Sequence, residues 1–157
     1  MTEEEFTTAT LDAFYMAAAL ESAREALKRG EVPIGAIILN HKKNKSVIIA
    51  KAYNKREKTQ NALDHAELLA IKKACHKLKS WRLDNCTMYV TLQPCVMCAG
   101  AILNARIPRL VIGARSDRTN YLDIYQNNNL NHKTQVEILD MPECSDILKH
   151  FFSGMRN

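Results

Sequence analysis

Two short stretches of this 157-residue chain carry side chains that can do chemistry together. One is His65-Ala66-Glu67 and the other is Pro94-Cys95-Val96-Met97-Cys98. One imidazole and two thiols form a donor set suited to a borderline-soft ion such as Zn2+. Three protein donors leave the fourth tetrahedral position to water, which is the arrangement of a catalytic zinc centre. A carboxylate at Glu67 could take the proton of that water and deliver it elsewhere. Taken alone, the Cys95–Cys98 pair also suits a thioredoxin-like redox couple, but that use leaves His65 and Glu67 without a role. Cys75, Cys86 and Cys144 bring the cysteines to an odd number and read as small buried apolar residues.

The elements around these stretches must bring them together. A first helix is expected from about Thr10 to Arg29, where Met16, Leu20, Ala23 and Leu27 recur at helical spacing and Gly30 follows as a cap. Val32 to Leu39 and Val47 to Tyr53 are apolar runs of strand length around the polar turn His41 to Lys45, and predict a hairpin. A second helix is expected with Asp64 as its N-cap and Leu68, Ile71, Cys75 and Leu78 on its apolar face. On a regular helix His65 and Glu67 lie about 200° apart, so both reach one ion only if the helix begins there. Cys86 to Leu92 predicts a strand, with Pro94 in the first turn of a third helix running to about Ala105. Arg109 to Ile112 and Val136 to Leu139 predict two more strands, with loop or broken helix from Ser116 to Thr134. Asp140 and Glu143 resemble a capping box that opens a last helix with Cys144, Ile147, Leu148 and Phe151 on one face. Strands alternating with helices predict an α/β fold whose sheet is mixed and covered on both faces.

Composition narrows the class. The chain is 46% hydrophobic and 25% charged, as globular chains are, so disorder is not the default, and with only 5 glycines and 4 prolines collagenous, linker-rich and low-complexity architectures are excluded. Its longest apolar runs are far short of the roughly 20 residues a membrane span needs. Met1-Thr2-Glu3-Glu4-Glu5 is acidic where a secretory signal is basic, which predicts a cytoplasmic protein without a membrane partner. A reducing compartment in turn favours metal or catalytic use of cysteine over disulfides. The net charge of +5 is compatible with a polyanionic partner.

The combined pattern His-x-Glu followed by Pro-Cys-x-x-Cys resembles the zinc-dependent cytidine/nucleobase deaminase superfamily. More narrowly, it is similar to the bacterial tRNA-specific adenosine deaminases, the TadA family. The resemblance covers nearly the whole chain, through Glu31 to Ala36, Tyr53-Asn54, Tyr89 to Leu92, Gly113 to Arg115, Asn131-His132 and Glu143 to Phe152. It implies one zinc-dependent deaminase domain over residues 1–157, folded as a three-layer α/β/α sandwich around a mixed five-stranded sheet, cytidine deaminase-like, and forming a homodimer. It further implies that His65, Cys95 and Cys98 hold one Zn2+ per chain and that Glu67 is the catalytic proton shuttle. Asn54 and the backbone of Ala66 would bind the purine, with Val32 and Pro33 walling the pocket. The implied reaction is hydrolytic conversion of the wobble adenosine of a tRNA anticodon loop to inosine, with release of ammonia. Two other readings stand beside it: deamination of a free base or nucleoside such as guanine or cytosine, and a catalytically silent zinc protein that binds RNA.

A tRNA partner would meet cations, and Lys51, Lys55, Arg56, Lys58, Arg106, Arg109, Arg115 and Arg118 are the candidates, although each also suits a solvated face. The chain departs from the family pattern at Gln93, where glutamate commonly precedes Pro-Cys. It departs again at Arg115-Ser116-Asp117 and at Thr119 to Asp123, which stand for Arg-Asp and a stretch of small residues. The loop 116–134 is therefore where RNA recognition is expected to differ.

Overall fold

The computed structural model describes residues 1–118 and 122–155 of the chain. Its elements follow in the order α1 (Glu3–Lys28), β1 (Gly35–Lys42), β2 (Lys45–Tyr53), the single turn α2 (Arg56–Thr59), α3 (Ala66–Leu78), β3 (Cys86–Val90), α4 (Val96–Asn104) and β4 (Arg109–Ile112). A 3₁₀ turn (Leu122–Gln126), β5 (Gln135–Ile138) and α5 (Pro142–Met155) complete it. The strands form one five-stranded sheet ordered β2-β1-β3-β4-β5. β1 is antiparallel to both β2 and β3, whereas β3–β4 and β4–β5 are parallel, so the sheet is mixed.

The near-continuous apolar runs reflect burial on both faces. Ala36, Ile38, Met88, Val90, Leu110 and Ile112 alternate onto the face covered by α3 and α4. Ile37, Leu39, Tyr89 and Val111 alternate onto the face packed with Met16, Ala19, Leu20 and Ala23 of α1 and Cys144 of α5. The result is the three-layer α/β/α sandwich.

Local chemistry shifts several expected boundaries. α1 begins at Glu3 because Thr2 and Glu5 form a capping box, seven residues before the first turn expected from the apolar spacing. His65, in extended conformation, is the N-cap of α3, so Asp64 lies outside the helix. The buried line of α3 is Ala66, Ala70 and Ala74, small residues that let the helix approach the sheet closely, with Ile71, Cys75 and Leu78 at its flanks and Leu68 half-buried. Cys95 is the N-cap of α4, which leaves Pro94 one position ahead of it instead of inside the first turn. Asp140 adopts a left-handed backbone (φ 48°) and pairs with Arg115, so it does not cap α5, which starts at Pro142. β1 starts at Gly35, later than the run from Val32, because Glu31 to Ile34 form the approach to the sheet. In the region 116–134 the 3₁₀ turn is the ordered piece, while Thr119, Asn120 and Tyr121 lie outside the described residues.

The strand directions explain why the chemistry-bearing segments converge. Gly35 at the start of β1 is opposite Tyr53 at the end of β2, and Ala36 is opposite Val90 at the end of β3. The segments entering β1 and leaving β2 and β3 thus share one edge of the sheet. Backbone bonds lock them together: Thr91 N–H donates to Gly35 O at 3.0 Å and Asn54 N–H donates to Ile34 O at 3.1 Å.

Candidate metal centre

Two helix N-termini meet at this edge. His65 and Cys95 occupy the N-cap positions of α3 and α4, and neither side chain caps its own helix. Both are free to face each other. Cys98, on the first turn of α4, joins them from below and is fully buried. The His65 Nδ1 lies 3.7 Å from Cys95 Sγ and 3.6 Å from Cys98 Sγ. A tetrahedral zinc, with Zn–S near 2.3 Å and Zn–N near 2.05 Å, spaces its nitrogen and sulfur donors by about 3.5 Å. The three residues therefore fit such an ion in donor chemistry and in spacing. They are the one group of this kind found among the described residues.

Electrostatics point the same way. Burial, then the positive charge of Arg56, lowers the pKa of His65 and favours the neutral imidazole that binds metals. Burial, followed by the neighbouring Glu67 and Cys95, pushes the Cys98 thiol far above its ordinary range. The partial positive ends of the helices do not by themselves offset that cost. A divalent cation among the donors would, because it binds the thiolate form. Tyr125, whose buried hydroxyl has no hydrogen-bond partner among the described residues, is raised by burial and by the same Glu67, Cys98 and Cys95. Burial thus keeps these acidic groups protonated in the absence of a cation, and His65, Cys95 and Cys98 form a group that could hold a metal ion.

Glu67, in the first turn of α3, is 4% exposed. Burial raises its carboxyl to about 7, partly opposed by hydrogen bonds from Cys98 and its own backbone N–H. A carboxyl near neutrality can both accept and return a proton at physiological pH. Because His65 precedes the helix and Glu67 belongs to it, the two are not held on opposite sides as a regular helix would hold them.

A cavity of about 80 Å3 adjoins these residues, lined by Val32, Ile34, Asn54, Arg56, His65, Ala66 and Glu67. Pro33 is buried between two of the lining residues in sequence but does not itself line the cavity. Asn54 is buried; its Nδ2 donates to Val32 O at 3.4 Å and its Oδ1 accepts the Arg56 N–H at 3.3 Å. Gln93 is also buried, and its Oε1 accepts the Ser116 N–H at 3.2 Å, tying the segment before Cys95 to the loop after β4. Cys86 and Cys144 are buried in the core and Cys75 is half-buried, as expected of apolar residues.

The candidate RNA cations divide. Arg56 lines the cavity, and Lys51, Lys58 and Arg118 are exposed. Lys55 lies over the Tyr53 ring at 4.9 Å and Arg115 pairs with Asp140 at 3.1 Å. Arg106, at a left-handed position (φ 62°), donates to Leu103 O. Arg109 is engaged internally: both its terminal nitrogens donate to the buried Asp12 carboxylate, at 2.8 and 2.6 Å, and the Tyr89 hydroxyl donates to the same group at 2.7 Å. Sequence reading missed this cluster because Asp12 stands alone on the apolar side of α1, and that misfit was its only signal. It also missed Glu31, a buried carboxylate whose two oxygens accept the Glu57 and Lys58 N–H groups at 2.9 and 2.8 Å.

Comparison with known proteins agrees with this geometry. Residues 11–156 match the MafB19-like deaminase family. The tRNA-specific adenosine deaminase of Bacillus subtilis (strain 168) is 39% identical over 153 residues, covering 94% of this chain and 92% of that protein. The tRNA-specific adenosine deaminase of Aquifex aeolicus (strain VF5) is 36% identical, covering 92% and 95%. Among solved structures, one from a study of A-to-I editing by tRNA deaminases at the wobble position superimposes with a TM-score of 0.79 at 35% identity, over 87% of this chain and 99% of that one. A guanine deaminase from Nitrosomonas europaea shares the fold, with a TM-score of 0.74 at 22% identity over 88% and 82% of the two chains. By extent of match and by shape, the chain belongs to the MafB19-like deaminase family, in the group of the tRNA-specific adenosine deaminases.

Proposed function

We propose that the chain is a zinc-dependent hydrolase that converts the wobble adenosine of a tRNA anticodon loop to inosine, consuming water and releasing ammonia. The observation that carries this reading is the approach of His65 Nδ1 to Cys95 Sγ and Cys98 Sγ, at 3.7 and 3.6 Å, beside the buried Glu67. In this reading His65, Cys95 and Cys98 hold one Zn2+ per chain, and zinc there lowers the pKa of a water molecule to about 7, supplying a nucleophile at neutral pH. Glu67 removes a proton from the attacking water and places it on N1 of the adenine. It then carries a second proton to the C6 amino group, the C6–N bond breaks, and ammonia leaves a C6 carbonyl behind. Asn54 and the backbone of Ala66 orient the purine, while Val32 and Ile34 keep bulk water from the reacting face.

RNA is the better-supported substrate. The tRNA-specific relatives are 36–39% identical, against 22% for the Nitrosomonas guanine deaminase. An anticodon loop also offers an unpaired base that unstacks at little cost. We assign the whole of residues 1–157 to one deaminase domain acting in the cytoplasm, where tRNA resides and thiols stay reduced. No helix among the described residues is long and apolar enough to cross a membrane. Leu63 and Val96, more than half exposed and each within two residues of a metal donor in sequence, support a homodimer that covers them.

The test is ammonia release from an anticodon stem-loop with adenosine at the wobble position, run beside free guanine, cytosine and their nucleosides. Release from the stem-loop alone is expected. Release only from the free bases or nucleosides would overturn the tRNA assignment.

A further inference from the structure

Glu31 is a buried carboxylate to which the deamination reading gives no task. It is 1% exposed and follows the end of α1, where its N–H donates to Ala26 O at 3.0 Å. Its two oxygens accept the N–H groups of Glu57 and Lys58, at 2.9 and 2.8 Å. These belong to α2, one turn long, whose N-cap residue Lys55 makes no side-chain capping bond. A single turn is too short to hold itself in water. Glu31 thus supplies, from a distant part of the chain, the acceptors that the turn lacks locally.

What this clamp holds is one wall of the cavity. Asn54 Oδ1 accepts the Arg56 N–H at the entry to α2, and Asn54 Nδ2 donates to the carbonyl of Val32, the residue after Glu31. Three hydrogen bonds therefore join residues 31–32 to residues 54–58, and a fourth, from the Arg56 N–H to Asn54 Oδ1, braces the second segment internally. Three of the residues so joined, Val32, Asn54 and Arg56, line the cavity beside Glu67. The bonds to the Asn54 side chain are long, at 3.3 and 3.4 Å, whereas those from Glu57 and Lys58 to Glu31, at 2.9 and 2.8 Å, are the shortest side-chain links between the two segments.

We infer that Glu31 is a positioning residue: by fixing the α2 turn it holds the Asn54 amide in register with the target base, and it acts on the reaction through Asn54. The inference rests on the reading above, that this cavity receives the base. Glutamine tests it with little change in volume, since it keeps one acceptor and sets an amide N–H₂ against the second backbone N–H.

The experiment compares the zinc-loaded full chain with Glu31→Gln, Asn54→Ala and the double variant, on the anticodon stem-loop. Misplacement of about 1 Å costs up to about 100-fold in rate. Glu31→Gln is expected to lower kcat by about 10-fold or more, with KM and zinc content near the wild-type values. The double variant is expected to be no slower than Asn54→Ala, because residues acting through one another do not combine additively. Wild-type kcat in Glu31→Gln or in Asn54→Ala overturns the inference, as do losses that multiply in the double variant or a loss of bound zinc. Should Glu31→Gln not fold, Glu31→Asp, which keeps both acceptors on a shorter arm, is judged against the same double-variant criterion. A wild-type chain that leaves the stem-loop unchanged refutes the deamination reading itself, so the two failures are told apart.

Discussion

At the scale of single residues, Glu67 must stay out of the metal's donor set while remaining close enough to handle protons beside it. Its burial and its carboxyl near pH 7 suit that role. Glu67→Gln is expected to keep bound zinc and to lose turnover by about 100- to 10,000-fold, the usual worth of a positioned general acid–base. Metal analysis and single-turnover deamination check this together, and unchanged turnover would remove Glu67 from the chemistry. Cys98→Ala is expected to lose both zinc and activity, since two donors do not hold the ion. The grouping of His65, Cys95 and Cys98 was legible in the sequence because each half stands at the start of a helix. Glu31 and Asp12 were not, because their partners are backbone N–H groups and side chains far along the chain, which no local spacing reveals.

Among elements, the decisive contact is the packing of α1 across β1. A Cβ added at Gly35 would stand 2.1 Å from Ala19 O and 2.6 Å from Ala23 N, both of them backbone atoms. Gly35→Ala must push the helix off the sheet, and a loss of about 2 kcal/mol or more in denaturant melts is expected. The Asp12–Arg109–Tyr89 cluster ties the same helix to β3 and β4. Asp12→Ala leaves a largely buried guanidinium without its partner and is expected to cost about 2–3 kcal/mol, with Arg109 still reaching some water. Arg109→Ala should lower stability without weakening RNA binding, and reduced RNA affinity in a folded variant would restore it as a phosphate contact. The strands were readable from their apolar runs, which burial on two faces produces. The true start of α1 was written in Thr2 and Glu5, a local capping signal, and not in the apolar spacing that begins only further along. The α3 face was read only at its margin, through Ile71, Cys75 and Leu78, because the centre of the contact is made of alanines, which carry little hydrophobic contrast.

For the molecule as a whole, the net charge of +5 and the exposed Lys51, Lys58 and Arg118 predict electrostatic RNA binding. Affinity for a single-stranded loop should fall linearly on a log–log plot against salt, with a slope of about −0.7 per phosphate engaged. A flat response would make the charge incidental. The proposed chemistry requires a metal ion held by His65, Cys95 and Cys98. Elemental analysis of the purified chain, before and after exhaustive chelation and followed by deamination assays on the same samples, tests this most directly. One zinc per chain that leaves together with the activity, and restores it on return, is the predicted result. Full activity in a chain free of metal would contradict it.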